Sequence, residues 1–139
     1  MDLRPVGVFD SGVGGLSVLR QLVATLPREQ FLYLGDTARL PYGSKSAASV
    51  ERYSVQCAGL LVDRGIKALV VACNTASAVA LPALARECAP VPVIGVLEPG
   101  AAAAVRASRS GRIVAIATEG TVRGGAYARA IERLRPDAV

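Results

Sequence analysis

The sequence predicts an α/β fold in which a doubly wound parallel sheet is covered by helices. Five short apolar runs are each followed by a segment with helical spacing, and these runs are hydrophobic throughout rather than alternating. Hydrophobic residues make up 52% of the 139-residue chain and charged residues 19%, which excludes intrinsic disorder. Both observations indicate strands that are buried on two faces, as in a parallel sheet between helices.

Apolar runs and turn residues give the order of the elements. A first strand leads through the glycine-rich turn SGVGG into a helix, and Gly65 is predicted to end a long amphipathic helix. Pro82 either kinks the next helix or opens a second short one. The predicted strands cover 5–9, 31–35, 67–72, 91–96 and 111–118, and the predicted helices cover 16–26, 46–64, 76–88, 98–108 and 121–134.

Composition excludes several functional classes. No stretch of 18 apolar residues runs without charge, and no basic segment precedes a long apolar one near the N-terminus, so we expect no membrane span, no signal peptide and a cytoplasmic location. The net charge of +5 comes without a basic block and with only 4% aromatic residues, so no nucleic-acid partner is expected. The three cysteines are predicted to be free thiols, and without histidine or Cys-x-x-Cys no metal site is expected.

Small polar side chains follow the predicted strands, and a parallel sheet binds its ligands at that edge. This coincidence is the first indication of function. The strand-end positions are Asp10-Ser11, Gly35-Asp36, Cys73-Asn74-Thr75, Glu98-Pro99 and Thr118-Glu119.

Cys73 stands between a predicted strand and a predicted helix. There the helix dipole and nearby backbone N–H groups favour the thiolate, which could act as a base or a nucleophile. The alternative is a buried small hydrophobic residue, the commoner fate of a free cysteine. Asn74 and Thr75 add an amide and a hydroxyl on the same turn and favour the functional interpretation. Cys57 and Cys88 fall within helical patterns and are predicted to pack in the core.

Helix capping is the alternative role for the other strand-end residues. Asp10 could cap the helix that follows the glycine-rich turn, or meet a substrate ammonium group. Asp36 is predicted to be a turn or cap residue, and capping is predicted for Thr118 and Thr121.

Two loops suit an anionic ligand to different degrees. The turn at 11–15 has the spacing G-x-G-G rather than G-x-G-x-x-G, which argues against a dinucleotide site. In the loop 35–43, the hydroxyl of Tyr42 and the N–H of Gly43 are suited to a carboxylate, and simple turn chemistry is the alternative for both residues.

Five strings taken together resemble the successive motifs of bacterial glutamate racemases, in that family's order: FDSGVGGLSVL, YLGDTARLPYGSKS, VVACNTASA, VIGVLEPGA and IATEGTV. Aspartate racemase, hydantoin racemase and maleate isomerase share the fold without these forms of the first two motifs. The resemblance implies two similar α/β lobes and interconversion of L- and D-glutamate without a cofactor. Two cysteines would face the α-carbon from opposite sides, and the D-glutamate would enter peptidoglycan synthesis. It also implies glutamate as small-molecule partner and allows a homodimer.

The resemblance also implies roles for individual residues and for the two parts of the chain. The family's second cysteine lies in a Gly-Cys-Thr-His motif, which these 139 residues lack. We therefore expect residues 1–97 to form most of the first lobe, residues 98–139 to begin the second, and this chain to be inactive alone. The alternatives are a non-catalytic fragment that binds an acidic amino acid or a partner protein, and a related racemase or isomerase acting on another acid. The implied acid/base is Cys73, and the implied substrate-binding residues are Asp10, Ser11, Tyr42, Gly43, Asn74 and Thr75.

Overall fold

Four parallel strands form one sheet in the order β2-β1-β3-β4 in the computed structural model, which describes residues 2–139. No helix within residues 2–139 combines the length and apolar character needed to cross a membrane. The elements are β1 (Val6–Asp10), α1 (Leu16–Thr25), β2 (Phe31–Gly35), α2 (Ala47–Val62), β3 (Ala68–Val71), α3 (Asn74–Val79), α4 (Leu81–Glu87), β4 (Val93–Gly95), α5 (Leu97–Ala107), α6 (Glu119–Arg123) and α7 (Ala126–Leu134), with a 3-10 turn at Tyr42–Ser44.

The central strand β1 places its side chains in two separate cores. Phe9 pairs in register with Leu34 on β2 and Val71 on β3, and it is fully buried in the cluster that contains α2 and α4 side chains. Val8, its neighbour, is equally buried but packs with α1 side chains on the other face. Helices therefore cover both faces of the sheet, which confirms the predicted doubly wound fold.

Local sequence signals account for the helix boundaries. The hydroxyl of Ser46 accepts a hydrogen bond from Ser49 N–H at 3.2 Å and caps α2. Gly65 has a φ of +73°, a left-handed conformation that suits the end of a helix. Pro82 lies in the first turn of α4, so the second of its two predicted roles is the correct one. The helix predicted at 121–134 is interrupted, because Gly125 with φ +61° separates α6 from α7.

The predicted fifth strand at 111–118 is wrong for this structure. The segment forms no strand, and Val114 and Ile116 are 88% and 96% exposed. Two backbone hydrogen bonds, from Ile113 N–H to Val139 O at 2.9 Å and from Val139 N–H to Gly111 O at 3.0 Å, hold its first residues. A strand requires a ladder of inter-strand hydrogen bonds, and no strand within residues 2–139 lies beside this segment to form one.

Helices α5 and α7 form a third, smaller core beside α3. Leu97 and Ala101 on α5 pack with Ala130 on α7, and Ala78 on α3 and Tyr127 on α7 contact this cluster. This packing places α7 beside α3, which begins where β3 ends.

Candidate active site

A cleft of about 420 Å³ opens beside the carboxyl ends of β1 and β3. Five of the seven residues implied by the resemblance line it; Tyr42 and Gly43 do not. Two further cavities of about 370 and 410 Å³ lie along the exposed segment that begins at residue 113. The five implied residues that line the cleft of about 420 Å³ are Asp10, Ser11, Cys73, Asn74 and Thr75.

Cys73 occupies the N-cap position of α3, directly after β3. Its thiol donates to the hydroxyl oxygen of Ser11 at 3.3 Å, and its sulfur accepts a hydrogen bond from Ala76 N–H at 3.4 Å. The residue is 5% exposed, with its exposed surface in the cleft. The thiol is therefore held at the edge of the cleft by one side-chain hydroxyl and one backbone N–H.

Asp10 uses one carboxylate oxygen to hold the glycine-rich turn. Its Oδ2 accepts hydrogen bonds from Gly12 N–H at 3.1 Å, from Gly15 N–H at 3.0 Å and from the Tyr33 hydroxyl at 3.4 Å. None of the residues from 2 to 139 donates to Oδ1. The capping interpretation is therefore wrong, because α1 has no side-chain cap hydrogen bond and Asp10 instead holds the turn before it. The ligand interpretation needs only the other carboxylate oxygen, Oδ1.

Tyr33 is a member of this network that the sequence did not indicate. Its hydroxyl also lies 3.1 Å from the carbonyl oxygen of Gly12 and shares its single proton between that oxygen and Asp10 Oδ2, so it ties β2 to the turn that follows β1. Burial, and then the charge of Asp10 and the hydrogen bond to it, raise the pKa of Tyr33 to about 12. The hydroxyl therefore stays protonated near neutral pH and remains a donor.

Tyr42 does not offer its hydroxyl to the cleft. The side chain is fully buried, and its hydroxyl donates to Asp36 Oδ2 at 2.6 Å. The guanidinium of Arg39 approaches the same oxygen, with its Nε at 2.6 Å. Burial and this hydrogen bond raise the pKa of Tyr42, so the hydroxyl keeps its proton and its partner. The hydroxyl that the sequence predicted to suit a carboxylate is thus already engaged, and Asp36 opens a turn that the N–H of Arg39 closes at 3.3 Å, as predicted.

Three threonine hydroxyls meet beside the cleft. Thr75 Oγ1 lies 3.1 Å from Thr118 Oγ1 and 3.1 Å from Thr121 Oγ1, and the latter two are 3.0 Å apart. Thr118 stands at the N-cap position of α6 but makes no side-chain cap hydrogen bond, and Thr121 lies inside the helix, so the predicted capping role is wrong for both. A Cβ on Gly43 would lie 2.3 Å from Thr118 Cβ, which shows how closely the two loops pack.

The other two cysteines lie away from the cleft, and the prediction that they pack in the core is confirmed. Cys57 on α2 is 2% exposed, with an Arg39 N–H donating to its sulfur at 3.4 Å. Cys88, just after α4, is 3% exposed. Burial raises the pKa of both thiols. No group of three acidic or thiol side chains within residues 2–139 is placed to hold a metal ion.

Residues 6–137 match the family described as Asp/Glu/Hydantoin racemase. A glutamate racemase of Geobacter metallireducens is 56% identical over 137 residues, which are 99% of this chain and 50% of that protein. The solved glutamate racemase of Aquifex pyrophilus gives a TM-score of 0.92 at 49% identity over 97% of this chain and 53% of its own. The enzyme of Francisella tularensis, solved with D-glutamate, gives 0.90 at 39% identity over 99% and 51%.

The chain thus spans about half the length of the curated relatives that it matches. Over that half, the chain has the fold of the solved glutamate racemases. The match covers nearly every residue described, and the resemblance seen in the sequence is confirmed: the chain belongs to the Asp/Glu/Hydantoin racemase family.

Proposed function

We propose that this chain supplies one half of a glutamate racemase site, in which Cys73 is one of two acid/bases that interconvert L- and D-glutamate without a cofactor. The observation that carries the proposal is the thiol of Cys73 in a cleft, held by Ser11 and by a backbone N–H. Its support is the 56% identity to a glutamate racemase over half of that protein's length, together with the D-glutamate bound in the Francisella relative.

The proposed binding contacts follow the charges of glutamate. The free Oδ1 of Asp10 accepts from the ammonium group, because the other oxygen is engaged by the turn. Hydroxyls of Ser11 and Thr75 and the amide of Asn74 are donors for carboxylate oxygens. Tyr42 and Gly43 contribute through backbone N–H groups, since the tyrosine hydroxyl is occupied.

The chemistry needs an acid/base on each face of the α-carbon. The Cys73 thiolate takes the α-proton: the C–H bond breaks, its electron pair stays on carbon, and an S–H bond forms. A second acid then gives its proton to the opposite face, and the two groups exchange roles in the reverse direction. Cys57 and Cys88 do not line the cleft. We therefore propose that residues 1–97 belong to the lobe carrying Cys73, that residues 98–139 belong to a second lobe, and that the second acid/base comes from outside this chain.

The proposal predicts proton exchange without inversion. The 139-residue chain is incubated separately with L- and D-glutamate in heavy water, followed by chiral separation and mass analysis. One enantiomer should gain an α-deuterium with retained configuration. Cys73→Ser should abolish this exchange, and the matched variant Cys88→Ser should keep it. Net racemisation should be absent, because loss of one acid/base costs on the order of 10²–10⁴-fold.

Other outcomes of this experiment separate the alternatives. Rapid formation of the opposite enantiomer would contradict a half-site and would indicate that a second copy of the chain completes it as a homodimer. Binding without exchange would indicate a non-catalytic fragment. Exchange of aspartate but not of glutamate would indicate a related racemase for another acid. The proposal includes cytoplasmic D-glutamate supply for peptidoglycan, which complementation of a D-glutamate-requiring strain by a full-length counterpart tests.

A further inference from the structure

A hydrogen bond joins α7 to the wall of the cleft. The hydroxyl of Tyr127 donates to Asn74 Oδ1 at 2.6 Å. Asn74 lines the cleft that contains Cys73 and also the neighbouring cavity of about 370 Å³, where Tyr127 is one of the lining residues. Within residues 2–139 the Tyr127 hydroxyl makes no other hydrogen bond, and nothing accepts from the amide nitrogen of Asn74.

The position of the tyrosine ring is fixed by packing rather than by this hydrogen bond. The ring contacts the α5–α7 core formed by Leu97, Ala101 and Ala130. Gly100 leaves room for it, since a Cβ there would lie 3.3 Å from the hydroxyl oxygen of Tyr127 and 3.5 Å from Cε1. Burial raises the pKa of Tyr127, so the hydroxyl retains the proton that it donates.

We propose that Tyr127 is a positioning residue that sets the orientation of the Asn74 amide. The two ends of an asparagine amide have nearly the same shape, so an unrestrained side chain can present either its acceptor oxygen or its donor NH₂ group. A donor that holds the oxygen on one side of Cγ leaves the two N–H groups on the other. Asn74 then offers donors to a carboxylate in the cleft instead of an oxygen that would repel it. The identity of that carboxylate as glutamate rests on the proposed function; the orientation of the amide does not.

The sequence makes this orientation directly measurable, because Asn74 is the only asparagine in the chain. Labelling with side-chain ¹⁵N-asparagine therefore gives one NH₂ signal in the NMR spectrum. In the unmodified protein its order parameter should approach that of rigid backbone, about 0.85, and in Tyr127→Phe it should fall below about 0.6. The matched variant Tyr53→Phe, whose hydroxyl has only a 3.4 Å contact with Arg52, should leave the signal unchanged. A mobile NH₂ group in the unmodified protein overturns the proposal without any variant, as does an unchanged signal in a folded Tyr127→Phe protein.

Titration with glutamate, followed through the same signal, separates this proposal from the proposed function. Tyr127→Phe removes the hydrogen bond that orients the Asn74 amide, and this loss should weaken the apparent affinity for glutamate about 3- to 10-fold. A rigid NH₂ group that becomes mobile in the variant, with no response to glutamate in either protein, supports the positioning role and contradicts a glutamate site on this chain. Equal glutamate affinity and equal order parameters in the two proteins contradict the positioning role and leave the glutamate site intact.

Discussion

Replacing Tyr42 by phenylalanine should destabilise the protein, because its hydroxyl serves the fold. The change removes a buried donor 2.6 Å from Asp36 Oδ2 and leaves that carboxylate with Arg39, whose side chain is 32% exposed. Loss of a hydrogen bond to a charged group costs about 1.5–3 kcal/mol. Since Arg39 remains at 2.6 Å from the same oxygen, we expect a value near the lower end, about 2 kcal/mol. For a chain of this size that is a fall in Tm of about 8 °C.

Urea unfolding followed by circular dichroism measures the effect, with Tyr53→Phe as the matched control. The Tyr53 ring is half-buried against the same core, but its hydroxyl has only an exposed contact with Arg52 at 3.4 Å. Loss of this hydroxyl should therefore change the free energy of unfolding by less than about 0.5 kcal/mol. Equal stability of the two variants would refute the reasoning. If Tyr42→Phe instead kept full stability and lost glutamate affinity, the hydroxyl would be a ligand donor after all.

Three further measurements test other features. Alkylation at neutral pH followed by peptide mapping should modify Cys73 before the other two cysteines, whose pKa values are raised by burial; earlier labelling of either of those would count against the assignment. The pKa of Tyr33, raised to about 12, gives stability that is complete below about pH 10 and is lost as the pH rises toward 12, so Tyr33→Phe should flatten urea midpoints measured across that range. Val114 and Ile116 should promote self-association and dye binding, so Val114→Asp should reduce both while Leu60→Asp, at a site 58% exposed, should not; equal effects would exclude the segment as the cause.

The parts of the fold that depend on local sequence were predictable. Uniformly apolar runs identified β1 and β3 because both faces of these strands are covered. Gly65 marked the end of a helix because it permits a left-handed conformation, whereas Pro82 left a kink and a helix start open, and the structure places it at the start of α4. The run at 111–118 has the same apolar character, yet it forms no strand. Whether a neighbouring strand lies beside a segment is a property of the rest of the structure and cannot be read from the segment itself.

The site was predictable to a similar limit. The rule that ligands bind at the carboxyl ends of parallel strands found Cys73 and Asp10, because each directly follows or ends a strand. It missed two side chains that hold residues of the cleft: Tyr33, which is 23 residues from Asp10, and Tyr127, which is 53 residues from Asn74. It did list Thr118, but not the contact of its hydroxyl with Thr75, 43 residues away. Tertiary packing alone brings these pairs within hydrogen-bond distance, so no local sequence pattern predicts these contacts.

The hydrogen bonds of the cleft divide its side chains into two kinds. Some are fixed by the protein and still have a polar group left for a ligand, and others have none left. A carboxylate and an amide each have two polar ends. Asp10 is fixed through Oδ2 and keeps Oδ1, and Asn74 is fixed through Oδ1 and keeps its NH₂ group. A phenol has one polar atom, and the hydroxyl of Tyr42 is already bound to Asp36. Because the single proton of the Tyr42 hydroxyl is held by Asp36 at 2.6 Å, the ligand contact proposed for that loop falls to its backbone N–H groups, which tolerate substitution of the side chain as long as the turn survives.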